Sequence, residues 1–326
     1  MNAFVHVYRG EWVENRHRIS LAVVGREGLL AYGGDPAFVS YMRSSAKPFQ
    51  ALALFLTGAA ERFGLTEEEV ALATASHDGT PEHVAVAARF LEKLGLGPEH
   101  LVCGVHPPFS KEARRALEAA GLGPTPLHHN CSGKHAGMLA AALALGAPVE
   151  GYERPDHPVQ RLNRKTLAEL SRAEPVHATD GCSVPTFALP LARAARAFYL
   201  LARPEGAPEA YQKPLLRVGQ AMRRHPHLVA GPGSIDTLLM ERLPLLAKRG
   251  ADGYYGLALL ESPKGPLGVA LKVEDGASQA REVAVVALLR LLGLDPGPTP
   301  WDRPEVRSHR GLPVGHLEAR LDLTWP

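Results

Sequence analysis

Strand-like alternation is confined to the two ends of this 326-residue chain, and the long middle, roughly residues 46 to 245, reads as helix. Ala3–Tyr8 and Arg18–Val24 alternate in period two, and Arg26-Glu27-Gly28 forms a hairpin turn into Leu29–Tyr32. Strand signals return only at Tyr254–Leu260 and Leu267–Val273, joined by the turn-rich Ser262–Pro266 and followed by an apolar helix over 278–292 that stops at Gly293. Between them, Thr66-x-x-Glu69 is a capping box and Thr80-Pro81 an N-cap with proline in the first turn. Helical periodicity recurs over 82–94, 133–146, 157–170, 186–202 and 209–224.

This order predicts an α+β fold: one antiparallel sheet built from both chain ends, flanked by helices, with a helical lobe inserted. The ends of the helical middle feed one sheet, so it is not expected to fold alone. We therefore expect one catalytic unit over 1–326, with a sheet lobe at about 1–45 and 246–326, a helical lobe at about 46–245, and a cleft where they meet. After Gly293 the chain is rich in Pro, Gly and Arg, shows no clear periodicity apart from Leu317–Leu323, and reads as a surface tail or an arm that packs on a partner subunit.

Charge excludes some partners. Lys and Arg number 36 against 34 Asp and Glu, a net charge of +2, so nothing points to nucleic acid or a membrane surface. No stretch has the order of a signal peptide and no apolar run would span a bilayer, which makes the cytoplasm the expected compartment. Three cysteines do not make a disulfide framework in a chain of this size, so reduced thiols or thiolate ligands are expected.

Chemistry first shows itself in Arg43-Ser44-Ser45-Ala46-Lys47-Pro48, the only Ser-x-x-Lys of the chain. Pro48 is tolerated only in a helix's first turn, so a helix should begin near Ser45, with Ser44 at its entrance. Residues three apart on a helix share a face, which lets the Ser44 hydroxyl meet the Lys47 amine as a nucleophile with its own base. The plain structural alternative is a serine cap, a surface lysine and a core stripe of Phe49, Leu52, Ala53 and Leu56.

Three further segments are polar, glycine-containing and placed at helix starts: Ala75–Thr80, His128–Met138 and Thr179–Pro185. The first also reads as a turn-and-cap cluster. Cys131 and Cys182 lie in the other two, beside His, Asp and Lys, whereas Cys103 nearly sits in an apolar run. Three readings stand for the loop cysteines: a disulfide, disfavoured by compartment; a thiol nucleophile with a histidine base; and a zinc site, although no C-x-x-C or H-x-x-x-H pair is present.

Taken together, Ser-Ser-Ala-Lys-Pro, Ala-Ser-His-x-Gly-x-Pro-x-His, His-Asn-Cys-Ser-Gly-Lys-His-Ala-Gly-Met and Thr-Asp-Gly-Cys-Ser-Val-Pro resemble the rhizobial-type, class 3 L-asparaginases of the asparaginase II family. The resemblance runs from the N-terminal strands to Lys248–Gly253. It implies a homodimeric amidohydrolase that releases ammonia from L-asparagine, on a fold similar to serine β-lactamases and bacterial glutaminases. It also implies two Ser-Lys tandems, Ser44 with Lys47 and Ser76 with Lys248, beside a zinc held by Cys131, Lys134 and Cys182. A zinc-bound lysine must be neutral, and a cation beside it lowers its pKa.

Arg43, His77, Asn130 and Asp180 are the candidate substrate binders. The chain departs from the β-lactamase pattern at Arg249, where a Thr or Ser hydroxyl would follow the second lysine. Lys272 is a rival second lysine, although its place in an alternating strand makes it a sheet-face residue. His83, His106, His157 and His177 read as surface or capping residues. L-Glutamine is the neighbouring substrate, one methylene longer, which a pocket discriminates only modestly. A zinc-stabilised binding protein or another serine amidase or esterase is the alternative class.

Overall fold

The computed structural model describes residues 3–326. Its strands are β1 (Ala3–Arg9), β2 (Trp12–Gly25), β3 (Gly28–Gly33), β4 (Val39–Tyr41), β5 (Val176–Thr179), β6 (Pro185–Pro190), β7 (Leu245–Arg249), β8 (Tyr254–Leu259), β9 (Leu267–Val273), β10 (Glu305–Arg307) and β11 (Pro313–Leu321). The main sheet runs β10-β11-β1-β2-β9-β8-β7, with β3 on β2, and its neighbouring strands pair antiparallel. The α+β class with a sheet drawn from both chain ends is thus observed.

β2 explains the shape of this sheet. Its first half pairs β1 (Phe4↔Arg18, Tyr8↔Val13) and is largely exposed, while Ile19–Val24 pair β9 (Leu21↔Leu271) and are wholly buried. Neighbouring strand residues point to opposite faces, so continuous burial in Ile19–Val24, β8 and Leu267–Leu271 requires cover on both faces. The helices Leu191–Ala202 and Ser278–Leu291 pack on these strands. Gly268 permits the close approach of the first: a Cβ there would stand 2.1 Å from both Ala195 O and Tyr199 N.

Two sequence expectations are corrected. Residues 313–321 are not a tail or a partner-binding arm; β11 pairs β1 along its length (Val5↔Ala319, Val7↔Leu317) inside the chain's own sheet. The helix expected over 186–202 begins only at Leu191, because Pro185–Pro190 form β6 and pair β4 (Ser40↔Leu189). Pro190 disfavours helical geometry in the residue before it, which sets that boundary.

The chain divides into two compact units, Met1–Ser45 with Ala188–Arg203 and Arg242–Pro326, and Ala46–Phe187 with Pro204–Glu241. The sheet unit therefore claims the helix Leu191–Ala202, which the sequence had placed in the helical lobe. In the helical unit, Ser132–Ala144 is buried from Ser132 to Ala142 and packs against Glu67–Ala73, Pro81–Lys93 and Pro158–Ser171. Both expected caps form: Thr66 with Glu69 and Thr80 with His83 bond reciprocally. The helix expected near Ser45 is a 3-10 turn, Arg43–Ala46, followed by one α-turn, Lys47–Gln50.

Candidate active site

The sheet unit carries Arg43, Ser44 and Lys248. Arg43 adopts a left-handed φ of 50° and forms an ion pair with Asp252, whose φ is 51°. Ser44 is half-buried on the 3-10 turn. Its neighbour Ser45 is fully buried and donates to Lys248 O at 2.6 Å, while the buried Lys248 donates to Arg249 O at 3.1 Å. Lys272 lies on β9 and donates to Val273 O and Asp252 O, as a sheet-face residue would.

The remaining candidates come together in the helical unit. Lys47 is 1 % exposed, and its Nζ lies 2.5 Å from Ala75 O, 3.1 Å from Ser76 Oγ and 3.5 Å from Asn130 O. Burial pushes the Lys47 pKa down and the Lys134 charge adds to this, against the opposing pull of Cys131 and Cys182. A neutral amine has two N–H bonds and one lone pair. The two carbonyls can only accept, so in that form the lone pair would fall to the Ser76 hydroxyl. This gives Ser76 a bond to Lys47 beyond the Ser76–Lys248 tandem that the resemblance implies.

His77 is corrected as a substrate binder. It is fully buried; Gly79 N–H donates to Nδ1 at 3.1 Å, so Nε2–H donates to Ser132 Oγ at 2.8 Å and no ring nitrogen is left for a ligand. Burial, then His83 and Lys47, hold its pKa well below the usual histidine value.

Cys131 and Cys182 are free, buried thiols. The Cys182 thiol donates to Cys131 and, with Lys47 and Lys134 nearby, holds Cys131 well below the ordinary thiol range; Cys182 moves up, keeping the proton of the pair. Lys134 Nζ is 2.8 Å from Cys182 Sγ. Burial alone would lower its pKa, but Cys182, Cys131 and Asp180 outweigh burial and raise it. Asp180 is exposed in a tight turn, where Oδ1 accepts from Gly181 N–H at 2.9 Å and Oδ2 lies 3.9 Å from Cys182 Sγ.

Two sulfurs and an amine are donors that zinc accepts, so the chemistry of this set fits the metal. Lys134, 2.8 Å from Cys182 Sγ, would have to lose its proton to serve as a donor to the ion. Among the described residues no group of three or more His, Cys, Asp and Glu is placed to hold a metal ion, so the set depends on the lysine as its third donor.

His83 and His157 act as the caps the sequence suggested: His83 Nδ1 bonds the Thr80 cap and His157 accepts from Val159 N–H. His106 does not, and neither it nor His129 was singled out for a role. Asn130 N–H donates to His106 Nε2 at 3.1 Å, and Cys131 N–H donates to His129 Nδ1 at 3.0 Å. No spacing rule signals the His106 bond, because its partner lies 24 residues away.

Among curated proteins none matches the chain significantly. Solved structures are similar at low identity: Mglu in its native form (15 % identity over 87 % of this chain and 67 % of that one, TM-score 0.48), and Mglu in its tris and glutamate form (15 %, 87 % and 61 %, TM-score 0.48). A probable glutaminase from Bacillus subtilis complexed with 6-diazo-5-oxo-L-norleucine follows (14 %, 85 % and 84 %, TM-score 0.39). The chain thus spans roughly two thirds of the length of the Mglu chains it matches. Likeness at these values carries no functional argument. The family model described as L-asparaginase II matches residues 5–319, over nearly the whole chain. Such a match makes the protein an amide hydrolase acting on a small molecule, and the chain belongs to the L-asparaginase II family.

Proposed function

We propose that this protein hydrolyses the side-chain amide of L-asparagine to L-aspartate and ammonia, with Lys47 as general base. The observation that carries this reading is the buried Lys47 amine, 3.1 Å from the Ser76 hydroxyl, with burial pushing its pKa down. Ser44, three residues before Lys47, supplies the nucleophile: its Oγ attacks the amide carbon as Lys47 takes its proton. Ser76 relays that proton to the departing nitrogen, and water then cleaves the aspartyl ester with the same groups in reverse roles. Lys248 is the second lysine of this proposed machinery. Arg43, Asn130 and Asp180 orient the substrate's α-carboxylate and α-amino groups.

Cys131, Lys134 and Cys182 are the residues that would hold a zinc ion, which when bound supplies a fixed positive charge for placing the substrate. Their thiols must stay reduced, which supports a cytoplasmic setting. No helix among the described residues is long and apolar enough to cross a membrane. The assembly we propose is a homodimer, for which a scattering mass of two chains is expected.

The Ser76 bond also favours a second reading, in which Ser76 is the nucleophile. Treating the protein with a diazo-ketone analogue of asparagine and mapping the modified peptide separates the two. The adduct is expected on Ser44; an adduct on Ser76 reverses the roles of the two serines, and no adduct on either rejects serine catalysis. L-Glutamine, one methylene longer, is the substrate against which selectivity is read.

A further inference from the structure

We infer that His106 is a positioning residue that, through the Asn130 N–H, holds the His129–Asn130–Cys131 segment in register with Lys47. The inference deepens the reading of the Lys47 site given above and rests on it for its kinetic part.

Asn130 is the meeting point of the helical unit's candidate groups. Its carbonyl lies 3.5 Å from Lys47 Nζ and accepts from His77 N–H at 3.3 Å, and its Oδ1 lies 3.4 Å from Cys131 Sγ. What fixes its backbone is the ring of His106. Pro107 O, 2.7 Å from Nδ1, can only accept, so Nδ1 carries the proton and Nε2 presents a lone pair, with the Asn130 side-chain amide Oδ1 a further 3.3 Å contact of Nε2. The Asn130 N–H donates to that lone pair at 3.1 Å. The adjacent Cys131 N–H is held in the same way by His129 Nδ1. The two imidazoles lie with centroids 4.3 Å apart, and Phe109 stacks on His106 at 4.8 Å.

Two consecutive amides ahead of the helix Ser132–Ala144 are therefore gripped by two neighbouring imidazoles, tilted by 47° to each other, one local and one brought in by the 104–109 loop. Losing the distant grip leaves a part-buried N–H without its partner and frees the peptide that carries both the Lys47 acceptor and the Cys131 side chain. Placement errors of this kind act on turnover more than on binding, because the base must meet its hydroxyl at hydrogen-bond distance in the transition state.

The test uses the full-length, zinc-loaded protein and two substitutions. His106→Phe keeps an aromatic ring beside Phe109 and His129 but removes the lone pair; His106→Gln places an acceptor oxygen near the former Nε2 without the ring. Two quantities are read: hydrogen exchange at the Asn130 amide, which needs no substrate, and kcat and KM for ammonia release from L-asparagine. His106→Phe is expected to speed Asn130 exchange by about tenfold or more and to lower kcat by about 10- to 100-fold, with KM changed less than about threefold. His106→Gln is expected to restore both to within about threefold of the unsubstituted protein. Unchanged exchange in His106→Phe, unchanged kcat in an active enzyme, or equal losses in the two variants would each overturn the inference. If the unsubstituted protein releases no ammonia, the assigned reaction has failed, and the exchange readout alone still decides whether His106 holds this peptide.

Discussion

Lys47 Nζ and Ser76 Oγ stand 3.1 Å apart in a buried pocket of the helical unit, with Ala75 O and Asn130 O taking the other bonds of the amine. A lysine in solution would be protonated and solvated; here burial favours its neutral form. Three chain segments far apart in sequence thus surround one buried amine and set a hydroxyl beside it.

Removing that nitrogen should abolish most turnover. Lys47→Met keeps the length of the side chain and fills its buried space, and kcat for ammonia release should fall by about 100- to 10,000-fold, the range of a lost general base. Lys272→Met, on β9, should change kcat by less than about threefold, as befits a sheet-face residue. Steady-state kinetics on the two variants, with folding checked by circular dichroism, measures the contrast.

The zinc set gives a prediction that needs no catalysis. Cys131→Ser or Cys182→Ser should weaken zinc binding by more than about 100-fold, and cobalt substituted for zinc should lose its thiolate charge-transfer absorption. Cys103→Ser should leave both unchanged, since burial pushes the Cys103 thiol up to about 12 and its sulfur contacts only backbone carbonyls of Gly104 and Pro126. Metal analysis and visible spectroscopy on the three variants check it.

Acid should destabilise the protein through its buried histidines. His83, 1 % exposed, has its pKa lowered to about 4, chiefly by burial. Between the ordinary value of 6.5 and about 4, the unfolded chain binds a proton that the folded one refuses, so stability is fully present above 6.5 and falls as pH drops towards 4. The full effect of this one group is on the order of 3 kcal/mol. Urea midpoints measured from pH 7 to pH 4 should fall, and His83→Asn should lower the midpoint at pH 7 while flattening the slope.

Close packing at the start of the helix Ser132–Ala144 makes two glycines respond in opposite ways. A Cβ on Gly133 would lie 2.3 Å from Leu72 O, a backbone atom that cannot yield, so Gly133→Ala should cost about 1–3 kcal/mol and disturb the Cys131–Lys134 turn. At Gly137 the nearest atom is Ala73 Cβ at 3.3 Å, and the gain in helix propensity of about 1 kcal/mol offsets the crowding. Thermal unfolding of the two variants decides.

Much of this architecture is legible in the residues. The strands at both chain ends follow from period-two alternation, and the helix at Pro81 from its threonine cap and proline. The misreadings have physical causes. Thr186–Leu189 is apolar enough to continue a helix but is drafted as a strand by pairing with β4. In β11, Gly315 and charged residues break the alternation, and its place is set by β1, some 300 positions earlier in the chain. At the site, the four motifs mark which residues gather, but not which bonds they make. Lys47 with Ser76, and His106 with Asn130, are pairings of tertiary origin that no local spacing encodes.

Ammonia release from L-asparagine and from L-glutamine, measured on protein of known zinc content alongside its Lys47→Met variant, tests the central claim most directly. The account predicts turnover of asparagine well above that of glutamine, and its loss in the variant. A folded, zinc-bearing protein that releases no ammonia from asparagine, or a Lys47→Met variant as active as the unsubstituted enzyme, would contradict it.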